Sequence, residues 1–189
     1  MSRRIARAAA PALLSALVMG LVGLLAVLVR QPWLFPSLGP TIFLLATSPA
    51  DPAARPWNVF LGHAIGVAAG FGALFLFGAQ ETPSVFAADA VSMSRAAATA
   101  LAVGATMLLQ TLSDAKHPPA AATTMLITLG GMPASWLTAA AVAVGVALVM
   151  ALGYALPCAA RHLRKKSGLP KEPANLKAIR ALISANRIR

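Results

Sequence analysis

Long runs of apolar residues alternate along this chain with short polar segments rich in proline and glycine. Four runs, residues 8–29, 58–78, 95–112 and 135–156, approach the roughly 20 residues that a helix needs to cross a bilayer. Two shorter apolar stretches, 40–47 and 119–129, each begin at a proline. The pattern predicts an all-α, polytopic membrane helical bundle with four long transmembrane helices and two short Pro-initiated helices, broken or re-entrant.

The prolines define how the short helices should begin. Proline lacks an amide donor and restricts the preceding residue to extended conformations, so it suits the first turn of a helix. We therefore expect an extended chain through residues 116–118 and a helix from about Pro119, with a similar start at Pro40. The first amides of a helix have no partner within it, so each start should present free donors and partial positive charge.

A shift of 79 residues superposes the halves 8–78 and 95–156. It aligns residues of uncommon types: Gln31 with Gln110, Pro40 with Pro119, Trp57 with Trp136, and also Gly66 with Gly145. This indicates an internal repeat. If the short helices complete crossings, the chain crosses six times and the halves are inverted; if they turn back, it crosses four times. We favour six, since the loop 79–94 is acidic and inversion brings the two helix starts together.

Composition supports a membrane protein. Hydrophobic residues make up 58% of the chain and charged residues only 11%, whereas a soluble domain carries about 25% charged residues. The net charge of +11 is concentrated at the two ends, as the positive-inside rule produces, so nucleic acid is not an expected partner. We expect a transmembrane domain over 1–160 and a basic tail over 161–189. The predicted location is a bacterial-type inner (plasma) membrane, with both termini in the cytoplasm.

The densest polar segment, 113–119, reads Ser-Asp-Ala-Lys-His-Pro-Pro. The run 116–124, Lys-His-Pro-Pro-Ala-Ala-Ala-Thr-Thr, resembles the signature of the HPP family of integral membrane proteins. The runs Ser-Leu-Gly-Pro-Thr at 37–41, Trp-Asn-Val at 57–59 and Gly-His at 62–63 are similar to other landmarks of that family. Ala121 departs from the pattern, where glycine is common. The resemblance covers about 8–156 and implies four transmembrane helices; plant and cyanobacterial members are linked to nitrite transport.

A small anion that enters the membrane needs fixed hydrogen-bond donors in place of its hydration shell. The chain supplies hydroxyls, amides and imidazoles near the short helices. The spans contain no run of acidic residues. We expect a transporter or channel for a small inorganic anion, nitrite by resemblance, and no cofactor. Protonated His117 would favour the anion, so transport should quicken as the pH falls. The candidate binding residues are His117, Pro118, Pro119, Thr123, Thr124, Gly39, Pro40, Thr41, Gln31, Gln110, His63, Lys116 and Asn58.

Alternatives stay open at this point. The protein could be a structural or scaffold membrane protein, or an intramembrane enzyme that uses Asp114 and His117 for proton transfer. His63, His117 and Cys158 are scattered without metal-ligand spacing, so no metal site is expected. His63 could be a packed histidine and Lys116 a surface residue. Spans rich in Ala and Gly favour close helix packing, and we expect a homodimer with a separate path in each protomer.

Overall fold

A computed structural model of the protein describes residues 2–166, which form helices, helical turns and connections without any strand. Within this range the helices are α1 Ser2–Val29, α2 Leu38–Thr47, α3 Pro56–Leu76, α4 Val85–Ala88, α5 Met93–Leu112, α6 Ala120–Thr128 and α7 Trp136–Lys166, with 3₁₀ turns at Pro52–Ala54 and Ala79–Glu81. Helices α1, α3, α5 and α7 are long and apolar enough to cross a membrane. The predicted all-α polytopic bundle is confirmed.

The structure divides into two units at Tyr154. The first unit contains α1 to α6 and most of α7, and all contacts described below lie within it. In the second unit the helix α7 continues to Lys166, into the segment predicted as a tail. Arginine and lysine are good helix formers, which accounts for this extension. The amphipathic stretch expected over 175–189 lies outside the described residues.

Both short helices have a proline at their start. Helix α2 begins at Leu38, earlier than expected, so Pro40 lies in its first turn, where a missing amide is tolerated. Helix α6 begins at Ala120, directly after Pro119 in the N-cap position. With 10 and 9 residues, they are about 15 and 14 Å long. Each therefore covers roughly half of a hydrocarbon core of about 30 Å.

Glycines on α3 allow α6 to approach closely. A Cβ added at Gly62 would lie 2.8 Å from the Cβ of His117, and one at Gly66 would lie 2.9 Å from the carbonyl oxygen of Ala120. Gly70 is similarly close to Ile127, at 3.2 Å. The residue numbers of the contacting positions increase in the same direction along both helices, so α3 and α6 run parallel. Only residues without a side chain permit this separation.

Helix α7 packs against α2 in the same manner. A Cβ at Gly145 would lie 2.6 Å from Cε1 of Phe35, in the connection just before α2, and one at Gly153 would lie 3.2 Å from Cδ1 of Leu45 on α2. Helices α7 and α2 therefore also run parallel. The second long helix of each half thus packs on the short helix of the other half. Of the aligned glycines, Gly66 lies against α6 and Gly145 lies against the connection that precedes α2.

The two parallel pairs run in opposite directions. Along α2, Ser37 bonds Thr123, while Thr41, one turn later, bonds the earlier residue His117. Helix α2 is therefore antiparallel to α6. This reciprocal, antiparallel packing is the arrangement that two halves of inverted orientation produce.

The loop between α3 and α5 is more ordered than the sequence indicates. It contains a 3₁₀ turn and α4, and it is fastened by Arg95, which is 4% exposed. The Arg95 guanidinium donates to the carbonyls of Thr82 (2.7 Å), Pro83 (2.7 Å) and Thr128 (2.8 Å). It lies against Gly130, which has a φ of +85° and no room for a side chain. Arg95 therefore ties this loop to the C-terminal end of α6.

Candidate functional site

Five polar side chains meet in the interior, where the starts of the two short helices face α3. Ser37, Thr41, His117 and Thr123 are fully buried, and His63 is 2% exposed. We call these five residues the buried polar cluster. Ser37 and Thr41 belong to the first half through α2, and His63 belongs to it through α3. His117 and Thr123 come from the second half through α6 and its preceding connection.

Hydrogen bonds join every member of the buried polar cluster. Thr41 Oγ1 lies 3.2 Å from Nε2 of His63 and 3.2 Å from Nε2 of His117. Thr123 Oγ1 lies 2.8 Å from Nδ1 of His63 and 2.6 Å from Oγ of Ser37. The two imidazole rings are 5.0 Å apart between centroids. The cluster contains no carboxylate, so its electrostatic character comes from hydroxyl and imidazole donors.

His117 is held from both sides. Its backbone N–H donates to Gln110 Oε1 at 2.8 Å, and Gln110 Nε2 donates to the Gly62 carbonyl at 3.4 Å. Its Nδ1 donates to the carbonyl of Ala53, 2.8 Å away in the 3₁₀ turn before α3. Gln110 is a positioning residue, because it touches the backbone of His117 and leaves the ring free to bond Thr41.

Thr124 belongs to a neighbouring pair of hydroxyls. Its Oγ1 lies 2.9 Å from Oγ1 of Thr106 and donates to the Gly66 carbonyl at 3.2 Å. These contacts point toward α3 and α5. Thr124 therefore supports the packing of α6 and does not join the bonds of the cluster.

Several predicted site residues lie elsewhere. Gln31, Pro40, Lys116 and Pro118 are exposed, and Gly39 is half-buried. Gln110 is buried, so the predicted pair of glutamines is not reproduced. Asn58 and Pro119 are buried, but neither makes a side-chain bond to the cluster. The predicted repeat aligns positions in the sequence only, and the helix face at each position decides which side chain turns inward.

The expectation of free amides at the short helices is wrong. The first amides of both helices bond to carbonyls of the turns before them: Leu38 to Phe35, Gly39 to Pro36, Ala120 to His117, Ala121 to Pro118 and Ala122 to Pro119, at 3.0 to 3.2 Å. Prolines hold these turns in shape, because their φ is already fixed near the value required. Donors for a ligand must therefore come from side chains.

Sequence reasoning missed two members of this site. Ser37 was noted only as part of a motif, although its spacing of four residues from Thr41 puts both on one helix face. The carbonyl of Ala53 gave no sequence signal, because any residue supplies one. Its role depends on where the 3₁₀ turn at Pro52–Ala54 lies.

An apolar cavity of about 390 Å³ lies between α3 and α7. Its walls are small or aromatic side chains, and His63 is the polar residue among them: Phe60, His63, Ala64, Val67, Ala68, Phe71, Ala139, Val142, Ala143 and Val146. His63 therefore faces both this cavity and the buried polar cluster. The cavity gives the imidazole a neighbouring space that is poor in hydrogen-bond partners.

The proposed Asp114–His117 pair is not formed. Asp114 is exposed, with a φ of +50°, and both ring nitrogens of His117 bond other groups. Across residues 2–166, no three His, Cys, Asp or Glu residues come together as metal ligands. The chemistry available at the cluster is hydrogen bonding and proton exchange among hydroxyls and imidazoles.

The fold and its interior polar cluster define a multi-pass helical membrane protein. The family model described as HPP, transmembrane region, matches residues 2–165, and the chain therefore belongs to the HPP family. No curated protein and no solved structure matches the chain.

Proposed function

We propose that this protein transports a small inorganic anion across the membrane, and that the anion binds at the buried polar cluster. The observation that carries the proposal is the meeting of Ser37, Thr41, His63, His117 and Thr123 in the interior without an acidic side chain. Polar groups at membrane depth are expensive and mark solute pathways. Hydroxyl and imidazole donors suit a negative ligand, whereas a cation site would need carboxylates or carbonyls.

The position of the cluster favours transport over a purely structural role. Both halves contribute side chains, and the short helix of each half packs along a long helix of the other half. In transporters built from repeats, the solute site lies at the repeat interface beside discontinuous helices. A small movement of one half against the other would part Ser37 from Thr123 and Thr41 from His117. The freed donors would then face the anion.

Nitrite is the anion to test first, because the family resemblance carries that link. It is a small, flat monoanion, and two or three hydroxyl or imidazole donors can bond its oxygens at once. In the cluster each donor already bonds a neighbour, so nitrite would exchange internal bonds for bonds to itself. The exchange leaves no buried donor unpaired, whereas the imidazole nitrogens that had accepted these hydroxyl bonds lose their donors.

Purified protein in liposomes tests this function. Nitrite uptake should exceed that of protein-free liposomes, and Thr123→Val should reduce it at least tenfold, because Thr123 bonds both Ser37 and His63. Thr111→Val is the matched control, since that hydroxyl is exposed and bonds only the Met107 carbonyl. Uptake of nitrate and chloride should be measured in parallel. The absence of flux for all three anions would instead support the scaffold alternative.

A further inference from the structure

The hydrogen bonds of the buried polar cluster have a direction that can be assigned from one end. The Ala53 carbonyl can only accept, so Nδ1 of His117 carries a proton. In a neutral imidazole, Nε2 is then an acceptor, and its partner is the Thr41 hydroxyl. The Thr41–His117 bond is therefore made when the single Thr41 proton points to His117 and not to the Ser37 carbonyl, which lies 2.9 Å away.

The directions of the remaining bonds follow from Thr41. Thr41 has one proton and gives it to His117, so Nε2 of His63 must donate to Thr41. Nδ1 of His63 is then an acceptor and takes the Thr123 proton. Thr123 in turn accepts from Ser37. The result is an unbroken chain of donors from Ser37 through Thr123, His63 and Thr41 to His117.

Thr41 also has a second acceptor. Its Oγ1 lies 2.9 Å from the carbonyl oxygen of Ser37. If a proton reaches Nε2 of His117 while His63 keeps its own Nε2 proton, the Thr41 hydroxyl can turn toward Ser37 and accept from both imidazoles. One extra proton is then accommodated by rotating a single hydroxyl, with no buried group left unpaired. A hydroxyl with these two alternatives suits a site that holds a proton for part of its cycle.

We propose that the buried polar cluster is a proton relay ending at His117, and that the protein moves a proton together with its anion. A proton reaching Ser37 Oγ displaces the Ser37 proton to Thr123, and each group passes its own proton onward. The Thr41 proton arrives at Nε2 of His117, which then carries protons on both nitrogens. The Ala53 carbonyl accepts a hydrogen bond but cannot take up the Nδ1 proton, so this proton is released to water on the exposed side of the turn Pro52–Ala54. One proton enters, one leaves, and both imidazoles exchange tautomers.

The charged surroundings fit one proton and one anion. Helices α2 and α6 carry no ionisable side chain, and α3 carries only His63. The flanking charged groups are all exposed: Asp51, Arg55, Asp114 and Lys116. On the α5 side, the backbone of His117 bonds the neutral side chain of Gln110. Tyr154 from α7 donates to the Ala54 carbonyl. With its neighbour ring at 5.0 Å, a second proton on His63 would be repelled. A single imidazolium without a carboxylate partner would be neutralised by a bound anion.

Simultaneous flux measurements test the relay. Liposomes carrying a pH-sensitive dye are given a nitrite gradient, and proton and nitrite movements are recorded after subtraction of protein-free vesicles. Thr41→Val removes the central hydroxyl and should reduce coupled proton flux at least tenfold. Thr47→Val, on the same helix, is the matched control, because its hydroxyl is exposed and bonds only the Phe43 carbonyl. This control should keep the wild-type flux of both ions.

The coupling rests on the proposed function, and the outcomes separate the two. Nitrite flux without proton flux would refute the relay and leave anion transport standing. A second outcome is proton flux that a membrane potential drives and that Thr41→Val abolishes, with no nitrite flux in any variant. This outcome would support the relay and refute the anion proposal. If the wild-type protein carries neither nitrite nor protons, the relay and the anion proposal are both refuted.

A spectroscopic measurement tests the relay in the unmutated protein. The chain has three histidines, so ¹⁵N-histidine labelling gives a simple solid-state NMR spectrum in lipid. At neutral pH the relay requires a proton on Nδ1 of His117 and on Nε2 of His63, assigned with His63→Gln and His117→Gln. The same tautomer at both rings would break the chain at Thr41 and overturn the proposal.

Discussion

Substitution of Gly66 by alanine probes the contact between α3 and α6 on which the site depends. The added Cβ would lie 2.9 Å from the Ala120 carbonyl oxygen and 2.9 Å from Thr124 Oγ1, where ordinary contact begins at 3.4 Å. The carbonyl belongs to the backbone of α6, and Thr124 is held by its bond to Thr106. Neither neighbour can move away alone, so the two helices must separate.

The expected magnitude follows from two opposing terms. Overpacking of a close contact costs about 1–3 kcal/mol, and alanine in place of glycine stabilises a helix by about 1 kcal/mol. Gly72 on the same helix has no atom within 4 Å of an added Cβ. Gly72→Ala therefore gains the helix stabilisation of about 1 kcal/mol without the cost of overpacking. The free energies of unfolding of the two variants should differ by about 1–3 kcal/mol, or about 5- to 150-fold in the folding equilibrium.

Reversible unfolding in mixed micelles measures this difference. Both variants are titrated with a denaturing detergent under the same conditions, and helix content and a tryptophan signal report the transition. Gly66→Ala should unfold at lower detergent than the wild-type protein, and Gly72→Ala at equal or higher detergent. Equal stability of the two variants would show that α6 does not pack on Gly66, and the described site would lose its support.

Two further predictions concern the loop between α3 and α5 and the topology. Arg95→Met should lower the free energy of unfolding by about 3 kcal/mol or more, since bonds from a charged donor contribute about 1.5–3 kcal/mol each and three carbonyls lose theirs; wild-type thermal stability would contradict this. With Cys158 replaced by serine, Gln80→Cys should react with an external thiol reagent and Ala50→Cys should not. External labelling of Ala50→Cys with protected Gln80→Cys would instead indicate four crossings.

Apolar run lengths and prolines were sufficient to predict the helices. The four spans and both short helices lie where the sequence places them. Their ends differ by at most two residues, except that α1 begins six residues earlier and α7 ends ten residues later than predicted. Those ends differ because helices continue into polar residues that form helix well, as α7 does up to Lys166. Gly66 and Gly145, which the predicted repeat aligns, lie against α6 and against the connection before α2, respectively, and the repeat itself stays a prediction.

The site was less predictable, because its bonds join residues far apart in the chain. Thr41, His63, His117 and Thr123 stand out as polar residues near apolar runs, but no local pattern shows that they bond one another. Their meeting depends on the antiparallel placement of α2 beside α6. The role of Ser37 also depends on this packing, since its partner Thr123 lies in the other half.

A difference map between structures determined with and without nitrite tests the central claim most directly. The protein should be reconstituted in lipid nanodiscs at high nitrite concentration, and the two maps compared after alignment on α3 and α5. The account predicts new density within hydrogen-bonding distance of Thr41 and at least one imidazole of His63 or His117, with Ser37 and Thr123 moved apart. Nitrite density at another position, with the bonds of the buried polar cluster unchanged, would contradict it.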